Sequence, residues 1–102
     1  MTTLHILNKS PQHAFPASQC RQFYSQGDAI LLIEDAVYHA LPDTFNKLCK
    51  AMAFTTPPPI YALKDDLDAR GIFSSADKDI KVVSYHEFVE LTMQHNKTSS
   101  WY

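Results

Sequence analysis

The sequence predicts an α/β fold, with three layers (α/β/α) built around a mainly parallel sheet of four to five strands. Two observations predict it. Short apolar segments of strand character alternate with helical patterns about four times along the 102 residues. Residues 29–33 form an uninterrupted apolar run, which is typical of a strand buried on both faces in a parallel sheet. The length fits a single domain, and we expect residues 1–102 to form it.

The first predicted strand is followed by a helix. Residues 4–7 are short and apolar, and the turn-forming residues 8–11 end them. Pro16 fits the first turn of a helix, where its missing N–H costs nothing. We expect this helix to run to Gln26, with Gly27 as its left-handed cap.

A second helical region follows the buried strand. Residues 35–53 have a mostly helical pattern that is interrupted at Pro42, and Asp43 is placed to cap the segment after it. Apolar residues recur in that segment at helical spacing, namely Phe45, Leu48, Cys49 and Met52. Residues 55–59 include three consecutive prolines, so they predict a rigid extended connector.

The second half of the chain predicts two more strands, over residues 60–63 and 80–83. A short helix over residues 65–70 follows the first of them, because acidic residues occupy its first turn and Gly71 stands just beyond it. A loop over residues 73–78 leads to the second strand.

A capping box predicts where the last helix begins. Ser84 and Glu87 have the required spacing, so their side chains can satisfy each other's backbone N–H groups. One face of this helix carries Tyr85, Phe88, Val89 and Thr92. Residues 96–102 form a tail that is polar until its aromatic end.

The predicted helices are too short to cover both faces of a parallel sheet. Some apolar surface therefore remains exposed, and we expect an oligomer. Candidates for that surface are Phe23, Tyr24, Tyr38, Phe45, Phe54, Phe73 and Trp101. The alternative is that most of these side chains fill the core.

Composition excludes several function classes. The chain has two glycines, so a dinucleotide fingerprint, a Walker A loop and a nucleophile elbow are absent. The net charge is −2 and Lys and Arg form no run, which argues against direct nucleic-acid binding. The apolar stretches are too short to cross a membrane, and no signal-peptide pattern is present, so we expect a cytoplasmic protein.

The predicted carboxyl ends of the strands carry polar residues but no obvious catalytic pair. Ligands and reacting groups gather at this edge in open α/β sheets. Glu34 and Asp35 are adjacent on a strand end, so their side chains diverge, and helix capping or solvation is the simpler interpretation. The polar residues of this edge are residues 8–10, 34–35, 64–66 and 84–85.

The five histidines do not form a recognisable metal motif. None is spaced four residues from another, and no C-x-x-C accompanies them. A zinc site would require convergence of distant residues, so we expect no metal and no cofactor. His5, in the first predicted strand, is expected to be a satisfied core or edge residue.

Cys20 is the candidate nucleophile. A helix N-terminus lowers a thiol pKa, so Cys20 would be activated if Ser18 caps the helix and less so if the helix begins at Pro16. Cys20 also shares a stripe with Ala17 and Tyr24, which favours a buried, inert thiol. The two cysteines of the chain do not make a disulfide framework, and we expect both to be reduced.

Several segments, in this order and spacing, resemble the TusB/DsrH family of small sulfur-relay subunits. They are residues 4–11 (LHILNKSP), 27–35 (GDAILLIED), 60–63 (IYAL), 66–71 (DLDARG), 85–92 (YHEFVELT) and Trp101. The resemblance implies a DsrEFH-like α/β domain. It also implies a cytoplasmic heterohexamer with two copies each of TusB-, TusC- and TusD-like subunits, or of their Dsr counterparts.

The resemblance also implies a function. The Tus complex takes up persulfide sulfur and hands it to a further acceptor protein, towards 2-thiolation of the wobble uridine of tRNA, whereas the Dsr branch serves sulfur oxidation. The main sulfur-carrying cysteine of the family belongs to the TusD/DsrE subunit, so Cys20 is a candidate secondary persulfide site. Asp35-Ala36 departs from an Asp-Gly that is common in the family, which weakens any expectation of close backbone approach there.

The leading hypothesis is thus a subunit of a sulfurtransferase complex and not an independent enzyme. Within it, Cys20 either carries sulfur transiently or the subunit completes an interface, and we favour the interface. Two other classes stay open, a stand-alone α/β module that binds a small ligand and a metalloenzyme with convergent histidines.

Overall fold

The strands of the protein form one parallel sheet. The computed structural model describes residues 2–52 and 58–101. Within them, five strands lie side by side in the order β4-β3-β2-β1-β5, with every neighbouring pair parallel. The strands are β1 (Thr3–Leu7), β2 (Ala29–Leu32), β3 (Ile60–Leu63), β4 (Lys81–Val83) and β5 (Lys97–Trp101).

Helices connect these strands and cover both faces of the sheet. They are α1 (Ala14–Phe23), α2 (Pro42–Met52), α3 (Lys64–Ala69) and α4 (Tyr85–Gln94), with 3₁₀ segments at Glu34–Ala40 and Phe73–Ser75. The prediction of a three-layer α/β fold with a parallel sheet is confirmed. None of these helices reaches the length and hydrophobicity that a membrane crossing requires.

The two faces of the sheet carry two separate apolar clusters, because successive side chains of a strand point to opposite faces. The larger cluster packs α1, α2 and α3 against the sheet through Leu7, Cys20, Ile30, Leu32, Phe45, Leu48, Ile60 and Leu67. The smaller cluster packs α4 against the other face through Leu4, Ile6, Ala29, Leu31, Val83 and Leu91. Among the described residues, α4 is the one helix on that face.

Helix α1 starts earlier and ends earlier than predicted. It begins at Ala14, which leaves Pro16 in its first turn, and it ends at Phe23. The prediction that it runs to Gln26 with Gly27 as its cap is wrong. Gly27 does adopt a left-handed φ of 93°, but it does so in a separate turn. That turn is closed by Asp28, whose backbone N–H donates to Ser25 O at 3.0 Å.

Helix α2 begins at Pro42 itself, the position where proline fits a helix start best. The prediction that Asp43 caps this helix is wrong, because Asp43 lies in the first turn. The Thr44 hydroxyl donates instead to Leu41 O at 3.1 Å and to Tyr38 O, joining the helix to the preceding 3₁₀ segment. Phe54 and residues 55–57 of the predicted connector lie outside the described residues, as does the Met52 side chain.

Residues 97–101, in the predicted polar tail, form an edge strand. β5 pairs with β1 along its whole length, with Leu7 opposite Trp101. The sequence does not predict this strand, because an edge strand needs little apolar character. The capping box at the start of α4 is confirmed, since Ser84 Oγ accepts from Glu87 N at 3.1 Å and Glu87 Oε1 accepts from Ser84 N at 3.0 Å.

Candidate functional site

Cys20 lies on α1, and its side chain is fully buried. Its relative exposure is 0%, and it belongs to the larger apolar cluster. Because α1 begins at Ala14, Cys20 lies in the second turn, where the field of the helix N-terminus has faded. Burial, reinforced by the negative charge of Asp28, raises the pKa of the Cys20 thiol to about 12. The thiol is therefore protonated at neutral pH, and its role as a secondary persulfide site stays a prediction.

Cys49 is the second free thiol and is half-buried. Burial raises its pKa, and the carboxylates of Asp77 and Asp79 raise it further. Neither thiol of the chain is thus held as a thiolate, which is the form that attacks sulfur.

A buried hydrogen-bonded network lies next to Cys20. His5 on β1 and Asp28 before β2 are only 1% and 2% exposed, and His5 Nε2 lies 2.8 Å from Asp28 Oδ2. The Trp101 indole N–H donates to His5 Nδ1 at 3.0 Å. Because an indole N–H can only donate, Nδ1 is the accepting nitrogen, so Nε2 carries the proton that is donated to Asp28.

The Asp28 carboxylate accepts hydrogen bonds from three residues, of which two lie on β1 and one lies in the turn before β2. Besides His5, Thr3 N donates to its Oδ1 at 2.8 Å and Ser25 N donates to its Oδ2 at 2.9 Å. The Tyr24 hydroxyl donates to the backbone oxygen of Asp28 at 2.9 Å. Burial raises the pKa of the Asp28 carboxyl, but the hydrogen bonds from His5, Ser25 and Thr3 outweigh it and the net pKa is lowered. Asp28 is thus a satisfied carboxylate that ties β1 to the turn before β2, and His5 extends the network to β5 through Trp101.

The polar edge at the carboxyl ends of the strands is held by ion pairs. Arg70 donates from Nε and Nη2 to Asp35 Oδ1, at 3.0 and 2.8 Å. Asp66 Oδ2 accepts from Glu34 N at 2.7 Å, and Glu34 itself has a left-handed φ of 51°. These acidic residues therefore fix the loop after β2 and do not face each other as an acid–base pair. Glu34, the residue with the left-handed φ, lies two positions before Ala36. The alanine at position 36, where the family commonly has glycine, therefore introduces no backbone strain.

The histidines do not converge. Within residues 2–52 and 58–101, no group of three or more His, Cys, Asp or Glu side chains is placed to hold a metal ion. His5 is satisfied within the network, as predicted. His39 is 7% exposed, its Nδ1 has no hydrogen-bond partner among the described residues, and burial lowers its pKa to about 4.

Large apolar side chains are exposed in two main places. Phe15 and Phe23 stand on α1, at 66% and 62% exposure. Tyr85, Val89 and Met93 stand one turn apart along the outer face of α4. The residues that were predicted to share one face of α4 therefore have different environments. Phe88 packs against the smaller cluster, whereas Tyr85 and Val89 are exposed.

The other predicted surface residues have mixed outcomes. Phe73 is exposed, Phe45 is buried, and Tyr24, Tyr38 and Trp101 are half-buried. Sequence reasoning missed Phe15 and Met93, because periodicity shows that a residue is apolar but not which flank of a helix the sheet covers.

Comparison with known proteins gives a consistent family assignment. A family model described as "DsrH like protein" matches residues 9–98. A protein named Protein TusB from Pectobacterium parmentieri is 33% identical over 100 residues, which cover 96% of this chain and 99% of that one. Protein TusB from Enterobacter sp. (strain 638) is 37% identical over 99 residues, with the same coverage.

Solved structures share the fold. The ychN protein of E. coli superposes with a TM-score of 0.69 over 99% of this chain and 100% of that one, at 16% identity. Protein Tm0979 of Thermotoga maritima gives a TM-score of 0.65 over 90% and 92% of the two chains, at 26% identity.

Proposed function

This chain belongs to the DsrH family, and on that premise we propose that it is an interface subunit of a cytoplasmic sulfur relay of the TusB type. Its partners are TusC-like and TusD-like subunits in a heterohexamer, and the complex passes persulfide sulfur to a downstream acceptor protein. The end point is 2-thiolation of the wobble uridine of tRNA.

The observation that carries the interface role is the state of Cys20. Sulfur transfer between proteins needs a thiolate that a partner's persulfide can reach. Cys20 is 0% exposed and its pKa is raised to about 12, so it meets neither requirement in the folded chain. This supports a division of labour in which another subunit supplies the main sulfur-carrying cysteine and this chain shapes the assembly.

The exposed apolar side chains support partner contacts. Aromatic side chains and Met are enriched at the centres of protein interfaces, and Phe15, Phe23, Tyr85 and Met93 are each more than half exposed. Burying one such side chain contributes about 1.5–3 kcal/mol. Two such surfaces, on α1 and on α4, suit a subunit with more than one neighbour.

Co-expression tests the assembly. The chain is produced with TusC-like and TusD-like chains from the same genome, and the complex is sized by light scattering. A stable hetero-oligomer containing all three is expected. Replacing the α4 residues Val89 and Met93 with serine should weaken it, whereas Lys47→Ser, at an exposed polar position of α2, should not. A chain that stays monomeric and binds neither partner would refute the proposed role as a subunit of this complex.

Two further measurements separate the pathway and the role. Deleting the gene should lower 2-thiouridine in tRNA, and loss of sulfur oxidation instead would favour the DsrH-type branch. Intact mass after incubation with a persulfide donor should show no stable gain of sulfur on the complexed chain. A gain of one sulfur atom that disappears in Cys20→Ser but persists in Cys49→Ser would establish Cys20 as a carrier and refute a purely interfacial role.

A further inference from the structure

β5 is a firmly held strand with an unpaired outer edge. On its inner side it pairs with β1 along its whole length, and Asn96 and Lys97 both donate from their backbone N–H groups to Thr2 O, at 3.0 and 3.2 Å. Among the described residues, no strand lies beyond it. Its outer edge therefore presents a row of free backbone groups, which is a template for pairing with another chain.

The register with β1 decides which backbone groups face outwards. Backbone N–H and C=O groups of successive strand residues alternate between the two edges of the strand. Because Lys97 N points to β1, the backbone groups of Ser99 and Trp101 point to β1 as well. Those of Thr98 and Ser100 consequently face away from the sheet, and both residues are exposed.

β5 has few of the features that usually prevent edge pairing. Natural edge strands are protected by proline, by bulges or by several charged side chains. Residues 97–101 contain no proline, and their register with β1 runs without a bulge. Lys97, at the start of the strand, is its one charged residue.

Helix α1 adds an exposed apolar row on the same side of the molecule. Phe15 and Phe23 are eight residues apart, so they belong to one row of side chains along the helix. The ring of Phe23 stacks on Trp101 of β5 at 5.4 Å between centroids, which places this row on the flank of α1 towards the sheet edge. Both phenylalanines are more than half exposed. A partner that pairs with β5 would therefore also cover these rings.

We propose that this edge is the contact between two copies of the chain, with their β5 strands paired antiparallel about Ser99. In this register Thr98 of each copy lies opposite Ser100 of the other, and the two residues exchange backbone hydrogen bonds. Lys97 lies opposite Trp101 of the second copy, so like charges do not meet. The two sheets join into one, and both α1 helices lie on the same face, where their phenylalanine rows meet.

Self-complementarity favours a second copy over a different chain. An isologous contact requires that each group meets its match when the strand is reversed. The outward backbone groups of Thr98 and Ser100 satisfy this condition, and the small Ser99 side chains meet at the two-fold axis. The inference goes beyond the proposed relay, because a complex with two copies of this chain does not require those copies to touch.

Sedimentation of the full-length chain alone, from micromolar to millimolar concentration, tests the association. A monomer–dimer equilibrium is expected. Thr98→Pro removes an outward N–H at a position that tolerates proline, and it should raise the dissociation constant about tenfold or more, since two hydrogen bonds are lost in each dimer. Phe15→Ser should weaken the dimer as well, whereas Met93→Ser, an equally apolar exposed site on α4, should not.

Disulfide cross-linking tests the register. In a Cys49→Ser background, Ser99→Cys places two thiols directly opposite each other at the two-fold axis, within disulfide reach. Mild oxidation should give a covalent dimer on a non-reducing gel. Lys97→Cys is the matched control, because it lies on the same strand but opposite Trp101 of the second copy and should not cross-link.

Several outcomes would overturn the self-pairing. A chain that stays monomeric over the whole concentration range would refute it, and so would a dimer that Met93→Ser weakens while Thr98→Pro and Phe15→Ser do not. Equal cross-linking of Ser99→Cys and Lys97→Cys, or none, would refute the register. A monomer whose binding to TusC-like or TusD-like chains is lost in Thr98→Pro would assign the edge to those chains instead. Failure of the self-pairing with an intact hetero-oligomer would leave the proposed function standing.

Discussion

His39 should make the protein lose stability in mild acid. Its ring is buried in the 3₁₀ segment Glu34–Ala40, and burial lowers its pKa from 6.5 to about 4. The folded-state pKa lies below the unfolded one, so the unfolded chain binds a proton first as the pH falls. Stability is therefore full above pH 6.5 and declines as the pH falls towards about 4. At about 1.36 kcal/mol for each pH unit between the two values, the total loss is about 3 kcal/mol.

The measurement compares two pH profiles. The free energy of unfolding in urea is determined from pH 7.5 to pH 4 for the parent protein and for His39→Leu. Leucine has no titrating group, and the substitution removes the unpaired Nδ1. The free energy of unfolding of His39→Leu should therefore fall by about 3 kcal/mol less than that of the parent across this pH range. His13→Gln serves as the control, because it removes an exposed histidine and leaves the buried ring of His39 unchanged. Parallel profiles for the parent and His39→Leu would refute the reasoning.

Three other substitutions test individual contacts by urea unfolding at pH 7. Asp28→Asn should destabilise the fold by about 2–3 kcal/mol, because three N–H donors point at its carboxylate, and a loss below about 0.5 kcal/mol would contradict that role. Because the pKa of Asp28 is lowered, its contribution is present at neutral pH and is lost as the carboxyl protonates in acid, a decline that should be missing from the variant. Ser84→Ala should cost about 1 kcal/mol through loss of the helix cap, whereas Ser74→Ala, at an exposed position outside any cap, should cost much less. Asp35→Ala should cost less than about 1 kcal/mol, since this partner of Arg70 is 61% exposed, and the effect should vanish at high salt.

The sequence by itself determined the class of fold and the position of most elements. Strand β3 lies over Ile60–Leu63 as predicted, and the box of Ser84 and Glu87 starts α4 where expected. These features depend on residues close together in the chain, through short apolar runs, turn chemistry and caps. The resemblance of ordered segments to the TusB/DsrH family likewise lies in the sequence, and the family assignment confirms it.

The tertiary structure alone decided the environment of Cys20 and the position of β5 in the sheet. Local spacing left two starts for α1 open, and neither is the observed one at Ala14. The contact between His5 and Trp101 joins residues 96 positions apart, and it exists because β5 returns to lie beside β1. A polar edge strand carries no periodic apolar signal, since most of its side chains face water. Its place in the sheet is therefore set by pairing with a distant strand, which no local pattern encodes.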